Sequence, residues 1–163
     1  MATRTPPPVD LTAFSREHLC YEARMYTETR NRILNGVQPG VEAFALLESA
    51  VLHLRNLVDF FYPGKVRNDD VIAMDYAANW DCQRPPLTPA LRDARERAHK
   101  ELAHLTTQRK AGSAPAKEWD FANITAELKP VLEAFLRVAD SATLSREASV
   151  ELDTVGTSLP GLS

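Results

Sequence analysis

Arg97 and His104 are the two residues of this chain whose types and spacing most clearly suggest chemistry. Seven helical residues make roughly two turns and about 10 Å of rise, so both side chains would project from one stripe of a single helix. A guanidinium can hold phosphate oxygens, and an imidazole can transfer a proton near neutral pH. The spacing therefore suggests that Arg97 and His104 form a phosphate-handling pair.

Other charged residues of the same helix offer a supporting role and also a plain alternative. Glu101 can pair with Arg97 at i,i+4 and can orient His104 at i,i+3. Local attraction for phosphates is expected from three further cations, Arg95, Lys100 and Arg109. The alternative is a solvated helix surface of ordinary ion pairs. Spacing alone leaves both interpretations open.

A second group of charges lies on an earlier predicted helix, at the edge of its apolar face. Its members are Glu48, Arg55 and Asp59. Arg55 can pair with Asp59 at i,i+4, and charges so close to a core must be paired or hydrogen-bonded. The group is either a structural ion pair or a supporting layer that faces Arg97 and His104 across a seam between helices.

The helix with that second group is predicted to be the central one. It runs from about Val41 to Tyr62, and Pro63-Gly64 ends it. Its apolar positions repeat at intervals of three and four residues, namely Phe44, Leu47, Val51, Leu54, Val58 and Phe61. An apolar stripe of this length is typical of a helix that contacts several neighbours.

The helix with Arg97 is expected to begin with Thr88 as its N-cap and Pro89 as its first residue. The other predicted helices are one at about Leu11–Leu34, a short one that begins at Asn68 and ends before Trp80, and one capped by Asp120. Short connections between long amphipathic helices favour antiparallel neighbours. We therefore predict an all-α, up-and-down bundle of four long helices plus one short helix.

Composition limits the domain organisation. The chain has 163 residues, of which 44% are hydrophobic and 25% are charged, as expected for a single helical-bundle domain, placed at residues 10–140. Residues 1–9 are proline-rich, and residues 141–163 are rich in Ser, Thr and Gly. These two segments are predicted to be a disordered N-terminal tail and a flexible C-terminal tail.

Charge and cysteine usage argue against several classes of protein. A formal net charge of -3 argues against a generally cationic nucleic-acid binder, so any such contact must be confined to a local patch. Cys20 and Cys82 have no metal-like spacing and indicate neither a disulfide scaffold nor a zinc site. No apolar stretch approaches the ~20 residues of a membrane span. A cytoplasmic protein without membrane contact is expected.

Two patterns in the sequence could indicate a metal site. The segments Glu96–His99 and Glu101–His104 both have the Glu-x-x-His spacing of di-iron bundles, but such a site needs the two motifs on different helices. A three-histidine site of His18, His53 and His104 remains geometrically open. Since glycine-rich phosphate and dinucleotide motifs are also absent, we expect no metal and no other cofactor.

Three segments together carry a resemblance to a known family. They are the run His53-Leu-Arg-Asn-Leu-Val-Asp-Phe-Phe61, the motif Asp69-Asp-Val71 with Trp80 beyond it, and the run from Arg97 to His104. In this combination the chain resembles the HEPN superfamily of small all-α bacterial domains. The hallmark of that family is an arginine followed by four to six residues and then a histidine, and six residues separate Arg97 from His104.

The resemblance implies a homodimer in which Arg97 and His104 of both subunits form one composite cleft. Many such domains are metal-independent ribonucleases of toxin or phage-defence systems, with RNA as substrate and an antitoxin or other protein as partner. His104 would act as general acid or base, and Arg97 would stabilise the charge of the transition state. The alternative is a non-catalytic protein-protein interaction module, which Ala98 favours because active members commonly carry a polar residue there.

Overall fold

Helices are the only regular secondary structure in residues 7–101 and 118–157, which are the residues that the computed structural model describes. The elements are α1 (Leu11–Phe14), a π-helical turn (Ser15–Leu19), α2 (Cys20–Leu34), α3 (Val41–Phe61), α4 (Ala73–Tyr76), α5 (Trp80–Gln83), α6 (Pro89–Glu101), α7 (Phe121–Val138) and α8 (Arg146–Thr157). The predicted all-α fold class is confirmed. None of the described helices is long and apolar enough to cross a bilayer.

Helix α3 lies at the centre, between α2 and α6. Its fully buried residues are Ala50, Val51, Leu54, Leu57, Val58 and Phe61. The sequence prediction of a central helix is therefore right for most of its length. The first turn differs, because Val41 is 86% exposed and Phe44 is 68% exposed. The apolar spacing thus extends into the first turn of α3, which the described neighbouring helices leave exposed.

An aromatic cluster fills the core beside the C-terminal end of α3. Its rings belong to Phe60, Phe61, Tyr76, Trp80 and Phe135. The Phe135 ring centroid lies 5.2 Å from that of Phe61 and 5.5 Å from that of Trp80, both nearly edge to face. The short helix predicted before Trp80 is present as α4, but it begins at Ala73 and not at Asn68, and a second four-residue helix, α5, follows it. These two helices bring Tyr76 and Trp80 to this cluster.

Local capping chemistry sets the helix ends largely as predicted. The Thr88 hydroxyl accepts from the Leu91 amide at 3.3 Å at the start of α6. The Asp120 carboxylate accepts from the Asn123 amide at 3.0 Å at the start of α7. Gly36 has φ of +89°, a left-handed conformation that suits glycine just after a helix end.

The predicted flexible C-terminal tail is wrong for residues 146–157, because they form α8 and pack against α2 and α7. Ala148, Leu152 and Val155 are fully buried at intervals of four and three residues. Arg30 of α2 is also fully buried, and its Nη1 donates a hydrogen bond to the Val155 carbonyl oxygen at 2.9 Å. Ser149, Thr154 and the charged residues between these positions obscured the helical period. The domain thus extends at least to residue 157.

The other predicted tail is only partly described. Residues 1–6 and 158–163 lie outside the described residues, and Pro7 is buried. The described chain therefore begins with a residue that packs on the domain.

Replacing Leu152 with alanine should lower the free energy of unfolding by about 2–5 kcal/mol, because it leaves a cavity between α8 and its neighbours. Val150→Ala is the matched control, since Val150 is exposed on the same helix and its loss should change stability by less than about 0.5 kcal/mol. Urea unfolding followed by circular dichroism measures both. Equal effects of the two substitutions would contradict the packing of α8.

The two cysteines should differ sharply in reactivity. Cys20 is buried and Cys82 is exposed. Burial also raises the pKa of the Cys20 thiol, so less reactive thiolate is present at a given pH. At pH 8, an aromatic disulfide reagent should titrate one thiol per chain rapidly and the second only after denaturation. Rapid reaction of both thiols in the folded protein would show that α2 is not packed as described.

Candidate functional site

The predicted catalytic pair is only half described. Arg97 lies on the side of α6 that faces the start of α7, with its guanidinium carbon 4.2 Å from the Trp119 ring centroid. Its Nη1 donates to the Glu118 carbonyl oxygen at 3.3 Å. His104 lies outside the described residues, as do Arg109 and the side chain of Glu101. The described contacts therefore give Arg97 a packing role against an aromatic ring.

Three charged side chains converge on Asp59 of α3, which lies on the side of α6 away from Trp119. Its carboxylate lies 3.5 Å from Arg55 Nε, 4.0 Å from Arg95 Nη1 and 3.6 Å from His99 Nε2. Arg55 and Asp59 are four residues apart on α3, and Arg95 and His99 are four residues apart on α6. Since residues at i and i+4 share one face of a helix, two such faces meet at one carboxylate.

Arg95 is held in place by the end of α3 as well as by Asp59. Its Nη1 donates to the Tyr62 carbonyl oxygen at 2.9 Å. This carbonyl follows the last turn of α3, where the unsatisfied carbonyl groups and the helix dipole both favour a cation. The contact fixes the rotation of α6 so that Arg95 and His99 face α3.

The supporting layer predicted from sequence is present in a different arrangement. The Arg55–Asp59 ion pair forms, but Asp59 contacts Arg95 and His99, and the expectation that it faces Arg97 is wrong. Arg95 and Arg97 are roughly 160° apart around the helix axis, so only one of them can face α3. Glu48 is exposed, about 16 Å before Asp59 along α3, and it does not line the cleft described next.

A cleft of about 470 Å³ opens between α3, α6 and the loop that follows α3. Its polar lining residues are Arg55, Asn56, Asp59, Lys65, Arg67, Asp70 and His99. All three segments that carry the family resemblance contribute to it: the run around Arg55, the motif around Asp70, and the run from Arg97 to His104 through His99. Lys100, the next residue of α6, is exposed.

Cations outnumber carboxylates in this cleft. Arg55, Lys65 and Arg67 line it together with only two carboxylates, Asp59 and Asp70, and Arg95 adds a fourth cation in contact with Asp59. Asp70 also accepts from the Arg67 amide at 2.6 Å, which fixes the loop. A concave site with this excess attracts anions, although the whole chain is mildly acidic.

Arg55 is a partly exposed cation of the cleft, and one of its donors is unused. Its Nε is buried and has no hydrogen-bond partner within the described part of the chain, because the 3.5 Å contact with Asp59 lacks hydrogen-bond geometry. A guanidinium offers five donors in a fork that matches phosphate oxygens. The exposed part of the Arg55 guanidinium can therefore contact an anion in the cleft.

A partly buried polar network lies behind the cleft, between α2 and α3. Glu22 Oε2 is 2.7 Å from His53 Nδ1 and accepts from Asn56 Nδ2 at 3.0 Å. The Tyr21 ring packs edge-on against His53, with centroids 5.3 Å apart. His53 is therefore occupied by a carboxylate. Over residues 7–101 and 118–157, no group of three or more His, Cys, Asp or Glu side chains has the geometry of a metal site.

Sequence reasoning missed His99, although a signal for it was present. Arg92 and His99 are separated by six residues, as Arg97 and His104 are, and they lie on the opposite side of α6. Asp59 beside Arg55 also indicated a carboxylate able to receive a further cation from a neighbouring helix. The rotation of α6, which sequence spacing does not give, decides between the two sides.

Substituting Arg97 with alanine should reduce stability by about 1 kcal/mol, because the cation–π contact with Trp119 is lost. Trp119 fluorescence should change as well, since the ring loses its charged neighbour. Arg92→Ala is the control on the same helix, because Arg92 is exposed. If both variants unfold at the same urea concentration and have the same fluorescence, Arg97 does not pack on Trp119.

Comparison with known proteins adds no relative. The chain matches no family model, no curated protein and no solved structure.

Proposed function

We propose that this chain binds RNA in the cleft between α3 and α6 and cleaves it, with His99 as the proton-transfer group. One observation carries the proposal: Asp59 lies within 4.0 Å of Arg55, Arg95 and His99 at the edge of an open, cationic cleft. Cations that can hold a phosphate and an imidazole that can move a proton are thus held side by side.

The chemistry is an internal transesterification. The ribose 2′-hydroxyl attacks the adjacent phosphorus and loses its proton, the bond to the 5′-oxygen breaks, and that oxygen takes up a proton. The products are a 2′,3′-cyclic phosphate and a 5′-hydroxyl. The His99 side chain is 47% exposed and within reach of a bound ligand, so it can serve one of the two proton transfers.

The other side chains divide the remaining tasks. Arg55 would hold the phosphate and stabilise the charge that develops on its oxygens, as preorganised cations do in phosphoryl chemistry. Asp59 would hold the imidazolium form of His99 in place. Water, or His99 of a second copy in the homodimer expected from sequence, would complete the second proton transfer.

The resemblance to HEPN domains supports the same reaction. It implies cleavage without a metal ion and a role in a toxin or phage-defence system. It also suggested Arg97 and His104 as the catalytic pair. Because Arg97 packs on Trp119, we assign these roles to Arg55 and His99.

A second candidate function is a non-catalytic interaction module. The exposed apolar residues Val41 and Phe44 at the start of α3 favour it, because apolar side chains of this size are common in protein interfaces. A protein of this kind would bind a partner tightly and leave RNA intact.

The test is cleavage of a fluorescent single-stranded RNA by the purified full chain in the presence of a chelator. His99→Ala should reduce the rate by at least about a hundredfold, the usual effect of removing a general acid or base. His18→Ala is the matched control, because His18 is exposed on the π-helical turn and does not line the cleft. Circular dichroism verifies that both variants are folded.

Further variants separate the alternatives. Arg97→Ala and His104→Ala test the pair suggested by spacing. If those two variants lose activity and His99→Ala keeps full activity, Arg97 and His104 are the catalytic residues. If the unaltered chain cleaves no RNA in chelator or with added Mg²⁺, the ribonuclease proposal is wrong and the interaction module is favoured.

A further inference from the structure

Asn56 connects the cleft with the partly buried network behind it. It lines the cleft beside Arg55, and its Nδ2 donates to Glu22 Oε2 at 3.0 Å. The same carboxylate oxygen is 2.7 Å from Nδ1 of the buried His53. One side chain of the cleft floor is therefore fixed by a carboxylate that belongs to another helix.

The carboxylate decides which way the Asn56 amide points. An ionised carboxylate only accepts hydrogen bonds, so each group that faces it must donate. Asn56 must turn its NH₂ group towards Glu22, and His53 must carry a proton on Nδ1. The Asn56 carbonyl oxygen Oδ1 can only accept, so it is the acceptor that this amide offers to a ligand in the cleft.

We propose that Asn56, held by Glu22, makes the cleft prefer RNA over DNA by accepting a hydrogen bond from a ribose 2′-hydroxyl. This inference rests on the proposed function, since it assigns the sugar selectivity of the same cleft. The cations Arg55, Lys65 and Arg67 attract phosphates of either nucleic acid and cannot discriminate between them. The 2′-hydroxyl is the donor that RNA has and DNA lacks.

Glu22 has a positioning role in this scheme because it acts through Asn56. Glu22→Gln keeps a carbonyl oxygen that can accept from the Asn56 amide, so it should preserve the orientation of Asn56. Glu22→Ala removes the acceptor and should release the amide. Glu28→Ala is the matched control, because Glu28 is an exposed carboxylate on the same helix that does not line the cleft.

The experiment measures binding of labelled single strands of one sequence as RNA, as DNA and as 2′-O-methyl RNA. A His99→Ala background prevents cleavage during the measurement. RNA should bind about three- to tenfold more tightly than the other two strands, the usual effect of one hydrogen bond. A 2′-O-methyl group keeps the oxygen but cannot donate, so that strand should bind like DNA.

Adding Asn56→Ala or Glu22→Ala should lower RNA affinity to the DNA level and leave DNA affinity unchanged. Adding Glu22→Gln or Glu28→Ala should keep the preference for RNA. Unchanged DNA binding also shows that each variant is folded, because a general structural defect would weaken DNA binding as well.

Three results would overturn the inference. They are equal binding of RNA and DNA by the starting protein, equal losses for both strands in Asn56→Ala, and 2′-O-methyl RNA that binds as tightly as RNA. Failure of the proposed function gives a different result. In that case the starting protein shows no salt-sensitive binding to either RNA or DNA.

Discussion

The carbonyl groups at the end of α3 impose the constraint on which the rest of the structure depends. The last carbonyls of a helix have no partners within it and must find donors elsewhere. The Phe61 carbonyl accepts from Trp80 Nε1 at 2.9 Å and from Arg84 Nη1 at 3.2 Å, and the Tyr62 carbonyl accepts from Arg95 Nη1 at 2.9 Å. These donors come from α5, the loop after it and α6. Satisfying one helix end therefore docks the following elements on α3, and it brings Arg95 next to Asp59.

The ion pairs around Asp59 contribute geometry more than stability. About a third of the Asp59 side chain is exposed, and its three contacts are 3.5–4.0 Å long. Exposed pairs of this kind typically contribute no more than about 1 kcal/mol, whereas burying one large aromatic side chain stabilises a fold by about 2–3 kcal/mol. The aromatic cluster thus holds α3 in place, and Asp59 determines how the cations and His99 are arranged on that fixed surface.

Local chemistry made part of this fold predictable. Thr88, Asp120 and the Asn35-Gly36 pair each act within a few residues, so the ends of α6, α7 and α2 follow from sequence. The position of His99 does not follow from sequence. It depends on which of the two sides of α6 that flank the buried Ala94 and Ala98 faces α3, and long-range hydrogen bonds such as that of Arg95 decide this. Helix α8 was missed for a related reason: its buried stripe is sparse, and the buried Arg30 that receives it lies 125 residues earlier in the chain.

The floor of the cleft and the core of the protein share one helix. Phe60 lines the cleft, and its ring also lies 5.0 Å from Phe61 and 5.6 Å from Phe135 in the aromatic cluster. Truncating Phe60 would therefore lower stability and change the shape of the cleft together, so a loss of activity would not identify a chemical role for Phe60. Arg55 and His99 project from the same framework with part of each side chain exposed, so substitutions there remove charge or proton transfer while the aromatic packing stays intact. This separation between packed framework and exposed charge is what makes those residues informative about function.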